Sequence, residues 1–370
     1  MSAAATPARP EAPMSALEQR LVARILATGP ITIADYMASC LGDPEHGYYM
    51  RRDPFGAAGD FITAPEISQM FGELIGLWAV ETWRRMGMPS AFVLAELGPG
   101  RGTLMADALR AARLAPDFLS AARITLVETS PHLRTVQRER LSGHEVTFAD
   151  RVEALLEGPA IVIANEFFDA LPIRQFQRVG AAYAERMVGV VDGRLSFGLR
   201  PGADLPGRFG VVPEGAIVEI AGPAASIMAS LAGRITEGGG ALLAIDYGHD
   251  GGIGDTLQAM RRHGFVSPLE SPGEADLTAH VDFSALAAVA RATGAMAFPL
   301  LTQGDLLVRL GLVERAGRLG AGKDAATQEA IRAAAERLAG PAAMGTLFKA
   351  LVVAAPGLAP PPFGHEGNAR

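Results

Sequence analysis

The sequence predicts a doubly wound α/β fold, and three observations lead to it. From Ala91 onward, short apolar runs alternate with stretches of helical periodicity, the pattern of βαβ units on a parallel sheet. Several runs carry an acidic or amide residue at their C-terminal end, the edge along which open α/β sheets bind ligands. The first run also passes directly into a glycine turn, Gly98-Pro99-Gly100-Arg101-Gly102, where a strand must hand over to a helix.

In chain order, residues 1–13 are rich in Ala and Pro and lack the continuous apolar stretch of a signal peptide, so a disordered leader is expected. Leu17, Leu21, Ile25 and Leu26 recur at helical spacing, and a second helix follows around Ile33 to Leu41 with Thr32 as its cap. Residues 42–61 are dense in Gly, Pro and Asp and should be loop. Pro65 to Met86 reads as one long helix with Met70, Phe71, Leu74, Leu77 and Trp78 inward, so residues 14–90 form an N-terminal helical cap.

The main domain is expected over 91–355. Its strands are Phe92 to Leu97, Arg123 to Glu128, Glu145 to Ala149, Ala160 to Ala164, Gly240 to Asp246 and finally Leu347 to Ala354. Ala182 to Leu199 alternates apolar and polar residues around Asp192-Gly193, a hairpin signal that places an insertion at about 176–215. A second insertion covers about 249–282. Helices follow near Phe283 to Ala292, Gly304 to Leu310 and Ala325 to Leu338, and residues 356–370 read as a flexible tail.

Composition narrows the function classes. A chain of 370 residues that is 49% hydrophobic can bury a large core, and its formal net charge of −7 argues against a general nucleic-acid binder. The single cysteine, Cys40, rules out an internal disulfide and fits a reducing compartment such as a bacterial cytoplasm. No apolar run approaches the length of a membrane span.

The chemistry concentrates at the strand ends. Glycines at 98, 100 and 102 preceded by Glu96 depart from the dinucleotide fingerprint, whose third glycine position is Thr103 here. That disfavours a nicotinamide-dependent oxidoreductase. The pattern suits the carboxylate and amine of a methionine-type group better than a pyrophosphate. Glu128, ending the second strand, is placed to accept both hydroxyls of a ribose, and Asp150, past the third, to take an adenine amino group. Asn165-Glu166-Phe167-Phe168-Asp169 follows the fourth strand, where carboxylates can hold a guanidinium and aromatic faces a cation. Asp60 lies in a second polar segment and is a third candidate carboxylate. His249 and His280 sit in polar clusters near the same edge, as general bases, metal ligands or hydrogen-bonded structural residues, and no metal site is expected.

These motifs resemble the MidA-like methyltransferases, a family with mitochondrial complex I assembly-factor members and bacterial relatives. The resemblance covers roughly Ile31 to Leu351 through GYY at 47–49, GDFITAPEIS at 59–68, FGE at 71–73, ELGPGRG at 96–102, NEFFDALP at 165–172, IDYG at 245–248 and TAHVDF at 278–283. It implies a seven-stranded class I methyltransferase fold and S-adenosylmethionine as cofactor. On that reading Glu96, Gly98, Gly100, Gly102, Glu128, Asp150 and Asn165 bind the cofactor, and Glu166, Asp169 and Asp60 act on the acceptor. The acceptor implied is a protein arginine, in the mitochondrial member that of a complex I subunit. NEFF carries Glu166 where the amide-then-aromatic motif of amino-directed methyltransferases has proline. The alternative function is a non-catalytic S-adenosylmethionine-binding assembly chaperone for a respiratory complex.

Overall fold

The computed structural model describes residues 14–51, 62–155, 157–203, 205, 209 and 212–364. The expected leader, Asp60 and the last six residues lie outside that set.

Among the described residues, the central sheet has nine strands, of which the longer ones are β1 (Phe92–Leu97), β2 (Ala122–Val127), β3 (Val146–Ala149), β4 (Ala160–Asn165), β5 (Gly240–His249) and β6 (Phe348–Ala354). Their spatial order is β6-β5-β4-β1-β2-β3. All neighbours are parallel except β5 and β6. Two-residue strands at Met296–Ala297 and Leu301–Thr302 pair with β6, and Val281–Asp282 pairs with β5. The chain steps from β1 outward to β3 and then returns to the other side of β1 with β4. That reversal creates a crevice at the strand C-termini, where open α/β sheets bind ligands.

Burial on both faces explains why the strands read as continuous apolar runs. In β1, Phe92 and Leu94 join one core while Val93, Ala95 and Leu97 join the other, the two-residue period of a pleated strand. The helices are α1 (Ala16–Thr28), α2 (Ile33–Gly42), α3 (Gln69–Arg85), α4 (Thr103–Ala112), α5 (Pro131–Arg140), α6 (Gly222–Gly238) and α7 (Phe283–Ala292), with shorter ones between and after them. α3 and α4 cover the first face, α6 and α7 the second.

The expected long helix is two. Ala64–Ile67 forms one turn, Ser68 is extended, and α3 begins at Gln69 with the Ser68 hydroxyl accepting from the Met70 N–H. Ser competes with the backbone for hydrogen bonds, so it starts a helix more readily than it continues one. α3 also belongs to the main core and not to an N-terminal cap, because Gly72 and Gly76 let it approach α4 closely. A Cβ on Gly76 would lie 2.5 Å from Ala108 Cα. Gly76→Ala is therefore expected to lower stability by about 1–3 kcal/mol through overpacking, read as a drop in melting temperature. Glu73 between these glycines ties the layer down, accepting from Arg110 at 3.0 Å and from Arg315 at 2.7 Å.

The remaining N-terminal helices share a third core with the two insertions. Ile31–Thr32 pairs antiparallel with Met187 and Val188 of Ala182–Val191. The first insertion is a sheet of Arg174–Val179, Ala182–Val191, Arg194–Ala203 and Ile217–Ile220, longer than the hairpin that its sequence signals. The second contributes Gln258–Arg261, Gly264–Val266 and Asp276–Thr278. Cys40 is buried in this core, which pushes its thiol up to about 12 and keeps it unreactive.

Residues 356–364 differ from the expected flexible tail. The Trp78 indole donates to Pro361 O at 2.8 Å, Arg85 donates to Ala359 O at 2.7 Å, and Phe298 stacks on Phe363 at 4.6 Å. Proline-rich chain loses little entropy on docking, so a few such contacts suffice to order it. Among the described residues, no helix is long and apolar enough to cross a membrane.

Candidate active site

A cavity of about 870 Å³ opens at the crevice between β1 and β4. Of the predicted site residues, Glu96, Gly98, Gly100, Glu128, Asp150, Asn165, Glu166 and Asp169 all line it. Gly102 is not among the lining residues and packs against Gln137, and Asp60 lies outside the described residues.

The glycine turn holds three left-handed residues, with φ of 58°, 52° and 75° at Gly98, Gly100 and Gly102. Side chains rarely adopt this conformation, which is why the turn is built of glycine. Two contacts pin it: Gly98 N–H donates to Val127 O at 3.0 Å, and the buried Gln137 amide donates to Gly100 O at 2.6 Å. The same amide reaches Glu128 Oε2 at 3.1 Å, so α5 braces both the turn and the carboxylate that ends β2. Glu128 Oε1 accepts from Ser130 N–H at 2.8 Å. Asp150 is exposed, with one oxygen taken by Arg134 at 2.7 Å. Thr103 opens α4 and donates to Glu66 Oε1 at 2.5 Å, linking the turn to the Ala64–Ile67 segment.

Beyond β4 the chain turns sharply. Glu166 has φ of 50°, a left-handed conformation uncommon outside glycine and a recurrent sign of a functional turn. Its Oε1 accepts from Ala64 N–H at 3.0 Å and from Asn165 Nδ2 at 3.1 Å. Arg174, the nearest arginine after it in sequence, pairs with Glu185 at 2.7 Å on the inserted sheet. Glu166 lines the cavity and is half-buried.

The loop is framed by Asp246, which the sequence offers as the acidic residue at the end of its fifth strand and as part of a polar cluster, without indicating its partners. Asp246 is wholly buried within β5, and its Oδ2 accepts from the backbone N–H groups of Phe167, Phe168 and Asp169 at 3.1, 2.9 and 3.2 Å. Three consecutive N–H groups converging on one oxygen fix the loop as a carboxylate-centred turn. The aspartate one residue before Tyr-Gly carried no local signal for this, because its partners are 77–79 positions away.

Electrostatically the cavity is a cluster of reluctant acids. Burial raises Glu96 to about 8, Glu166 to about 7 and Asp169 to about 6. Burial also pushes Asp246 upward, reinforced by Asp169 and Glu166. Buried polar atoms without partners in this cluster are Glu96 Oε2, Asn165 Oδ1 and Asp169 Oδ1. Such atoms cost free energy unless a ligand satisfies them, and each is an acceptor that calls for an N–H or O–H donor. Tyr49, Tyr247, Gln258 and Asp276 also line the cavity, and none of them was foreseen as a site residue. His280 lines this cavity, while His249 lines a second one of about 390 Å³.

A family model of S-adenosyl-L-methionine-dependent methyltransferases matches residues 74–300. The chain belongs to that family. Curated relatives include the mitochondrial protein arginine methyltransferase NDUFAF7 homolog of Drosophila melanogaster, 39% identical over 91% of this chain and 84% of that one. Protein arginine methyltransferase NDUFAF7 of Danio rerio is 38% identical over 90% and 85%, and that of Homo sapiens 37% over 82% and 75%. A Burkholderia thailandensis structure bound to S-adenosyl-homocysteine is 28% identical, with a TM-score of 0.81 over 92% of each chain.

The methyltransferase uses S-adenosylmethionine, and its residues fit that cofactor. The left-handed glycines leave backbone open to close approach, and Glu96 Oε2 and Asn165 Oδ1 are acceptors in need of a donor. When bound, the cofactor supplies a methyl group on a sulfonium.

Proposed function

We propose that this methyltransferase modifies an arginine side chain of a protein. The observation that carries the reading is the paired carboxylates of Glu166 and Asp169 at the cavity wall beside Phe167, with Asp169 Oδ1 unpartnered. A guanidinium is planar, carries its charge over a wide pH range and presents a fork of N–H donors, so carboxylates can orient it and aromatic edges can flank it. Methylation of its nitrogen releases one proton. Glu166, held near 7, is matched to receive that proton at neutral pH. Asp60 is a further carboxylate in this proposal. The printed names of the curated relatives support arginine as acceptor.

In the same reading Glu96 and Asn165 take the cofactor's ammonium, the glycine turn its carboxylate, Glu128 the ribose and Asp150 the adenine. The seven-stranded class I description is supported by the strand path from Met296–Ala297 through β6 to β3. The family resemblance supports a complex I subunit as acceptor, and the lone cysteine a reducing compartment such as a bacterial cytoplasm.

Purified protein with S-adenosylmethionine and matched Arg, Lys and Ala peptides tests the acceptor, followed by mass spectrometry of peptides from a strain lacking the protein against its parent. Methyl groups are expected on arginine alone. Methylation confined to lysine or to non-protein acceptors overturns the reading, and cofactor binding with no transfer to any acceptor favours an assembly chaperone.

The pH dependence of cofactor binding tests Glu96. With its carboxyl near 8, the free protein at pH 6 holds Glu96 mainly protonated, and pairing with an ammonium requires the proton to leave. Affinity for S-adenosylhomocysteine should therefore rise with pH between 6 and 8, by up to about tenfold per unit for one proton. Calorimetry on Glu96→Gln should show a flat profile, and a slope unchanged from the parent would exclude Glu96.

A further inference from the structure

The single helical turn Ala64–Ile67 joins two parts of the site that come from distant stretches of chain, and the cofactor and acceptor assignments give it no role. Ile62, Thr63, Pro65 and Glu66 all line the cavity. Four residues close too few backbone hydrogen bonds to hold a helical turn by themselves, and Thr63 supplies no side-chain cap. External ties hold it instead. Ala64 N–H donates to Glu166 Oε1 at 3.0 Å, and the same oxygen accepts from Asn165 Nδ2 at 3.1 Å. Two residues on, Glu66 Oε1 accepts from the Thr103 hydroxyl at 2.5 Å, and its Oε2 lies 3.8 Å from Arg101 Nη1. Thr103 opens α4 and Arg101 lies between Gly100 and Gly102, so Glu66 is bound to the glycine turn while Ala64 is bound to the loop after β4.

We propose that Glu66 is a positioning residue: by gripping Thr103 and Arg101 it fixes the Ala64–Ile67 turn against the glycine turn, and Ala64 N–H then holds the Glu166 carboxylate in register with the cofactor side of the cavity. Glu166 is a residue that needs such holding. Its left-handed φ of 50° persists only where the surroundings fix it, and its own N–H is already committed to Ile245 O at 2.9 Å. Methyl transfer depends on alignment, and a misplacement of about 1 Å from a change remote from the reacting atoms can cost about a hundredfold. The glycine turn does not rely on this tie. Val127 O and the Gln137 amide pin it independently, so loss of the Glu66 contacts should release the acceptor side and leave the cofactor side in place.

This inference rests on the acceptor reading of Glu166, so its first readout is independent of turnover. Thr103→Val keeps the branched shape and loses the hydroxyl, whereas Thr103→Ser keeps the hydroxyl. Hydrogen exchange resolved to single amides should show Ala64 N–H exchanging about 3- to 10-fold faster in Thr103→Val than in the parent, within the span of one hydrogen bond. Thr103→Ser should stay near the parent. The Gly98 amide, held by Val127 O, should be unchanged in both variants. For an arginine peptide, kcat should fall at least about threefold in Thr103→Val, with S-adenosylhomocysteine affinity within about twofold. Adding Glu66→Ala to Thr103→Val should cost little more, because side chains that act as one unit are not additive. Ala64 exchange that is unmoved in Thr103→Val, or moved equally in Thr103→Ser, overturns the inference. Faster Ala64 exchange with unchanged peptide kinetics supports the tie and removes Glu166 from the acceptor reading instead.

Discussion

Gly100→Val is expected to abolish cofactor binding, and S-adenosylhomocysteine calorimetry should show affinity at least about a hundredfold weaker, about 2.8 kcal/mol. Two effects combine. The residue sits at φ of 52°, where a β-branched side chain is strained by about 1–3 kcal/mol. The added side chain also occupies the wall of the cavity where backbone must come close to the ligand. Strain alone would weaken the fold without touching the ligand, and Gly180→Val is the control. Gly180 shares a positive φ of 59° but has nothing within 4 Å of an added Cβ. It should lose stability and keep cofactor affinity. Unaltered affinity in a folded Gly100→Val protein would remove the turn from the cofactor site.

Glu166→Gln is the second large effect. Glutamine preserves an oxygen to accept from Ala64 N–H, so the loop and the cofactor site should persist. Charge-assisted pairing with a guanidinium is lost, at a cost of about 1.5–3 kcal/mol, or about 10- to 150-fold in turnover. Cofactor affinity should stay nearly constant. The sign of the pH effect follows from the raised carboxyl: below about 7 the group is protonated and cannot pair with or deprotonate the acceptor, so parent turnover should climb with pH through that value. The variant should lose that inflection. Equal loss of affinity and turnover would instead assign Glu166 to the cofactor's ammonium. Near-parental values for both would make it a framework residue tying Ala64 to the loop.

The fold class was legible because its signals are local. Alternating residues of one strand must serve two cores, so β1 to β6 read as apolar runs, and left-handed φ values leave glycine as the residue for the turn at 98–102. The hairpin around Asp192-Gly193 was visible for the same reason, with φ of 49° and 77° at those two residues. Local rules failed where partners are distant in sequence. Nothing near Ser68 predicted the break before α3 except its capping habit, and nothing near Pro361 announced that Trp78 would hold it.

Glu96, Gly98, Gly100, Glu128, Asp150, Asn165, Glu166 and Asp169 could be picked from the chain because parallel strands end at one edge. Connectivity alone brings those ends together. What only the tertiary structure decided is the state of each group. Asp150 is exposed and shared with Arg134, Glu166 lines the cavity while Arg174 pairs with Glu185, and Asp246 becomes the frame of the acceptor loop. A carboxylate's charge depends on how much water its neighbours exclude, and a hydrogen bond depends on atoms meeting within about 3 Å. Both are properties of packing, and the neighbours that set them here come from the N-terminal segment and the insertions as well as from the sheet.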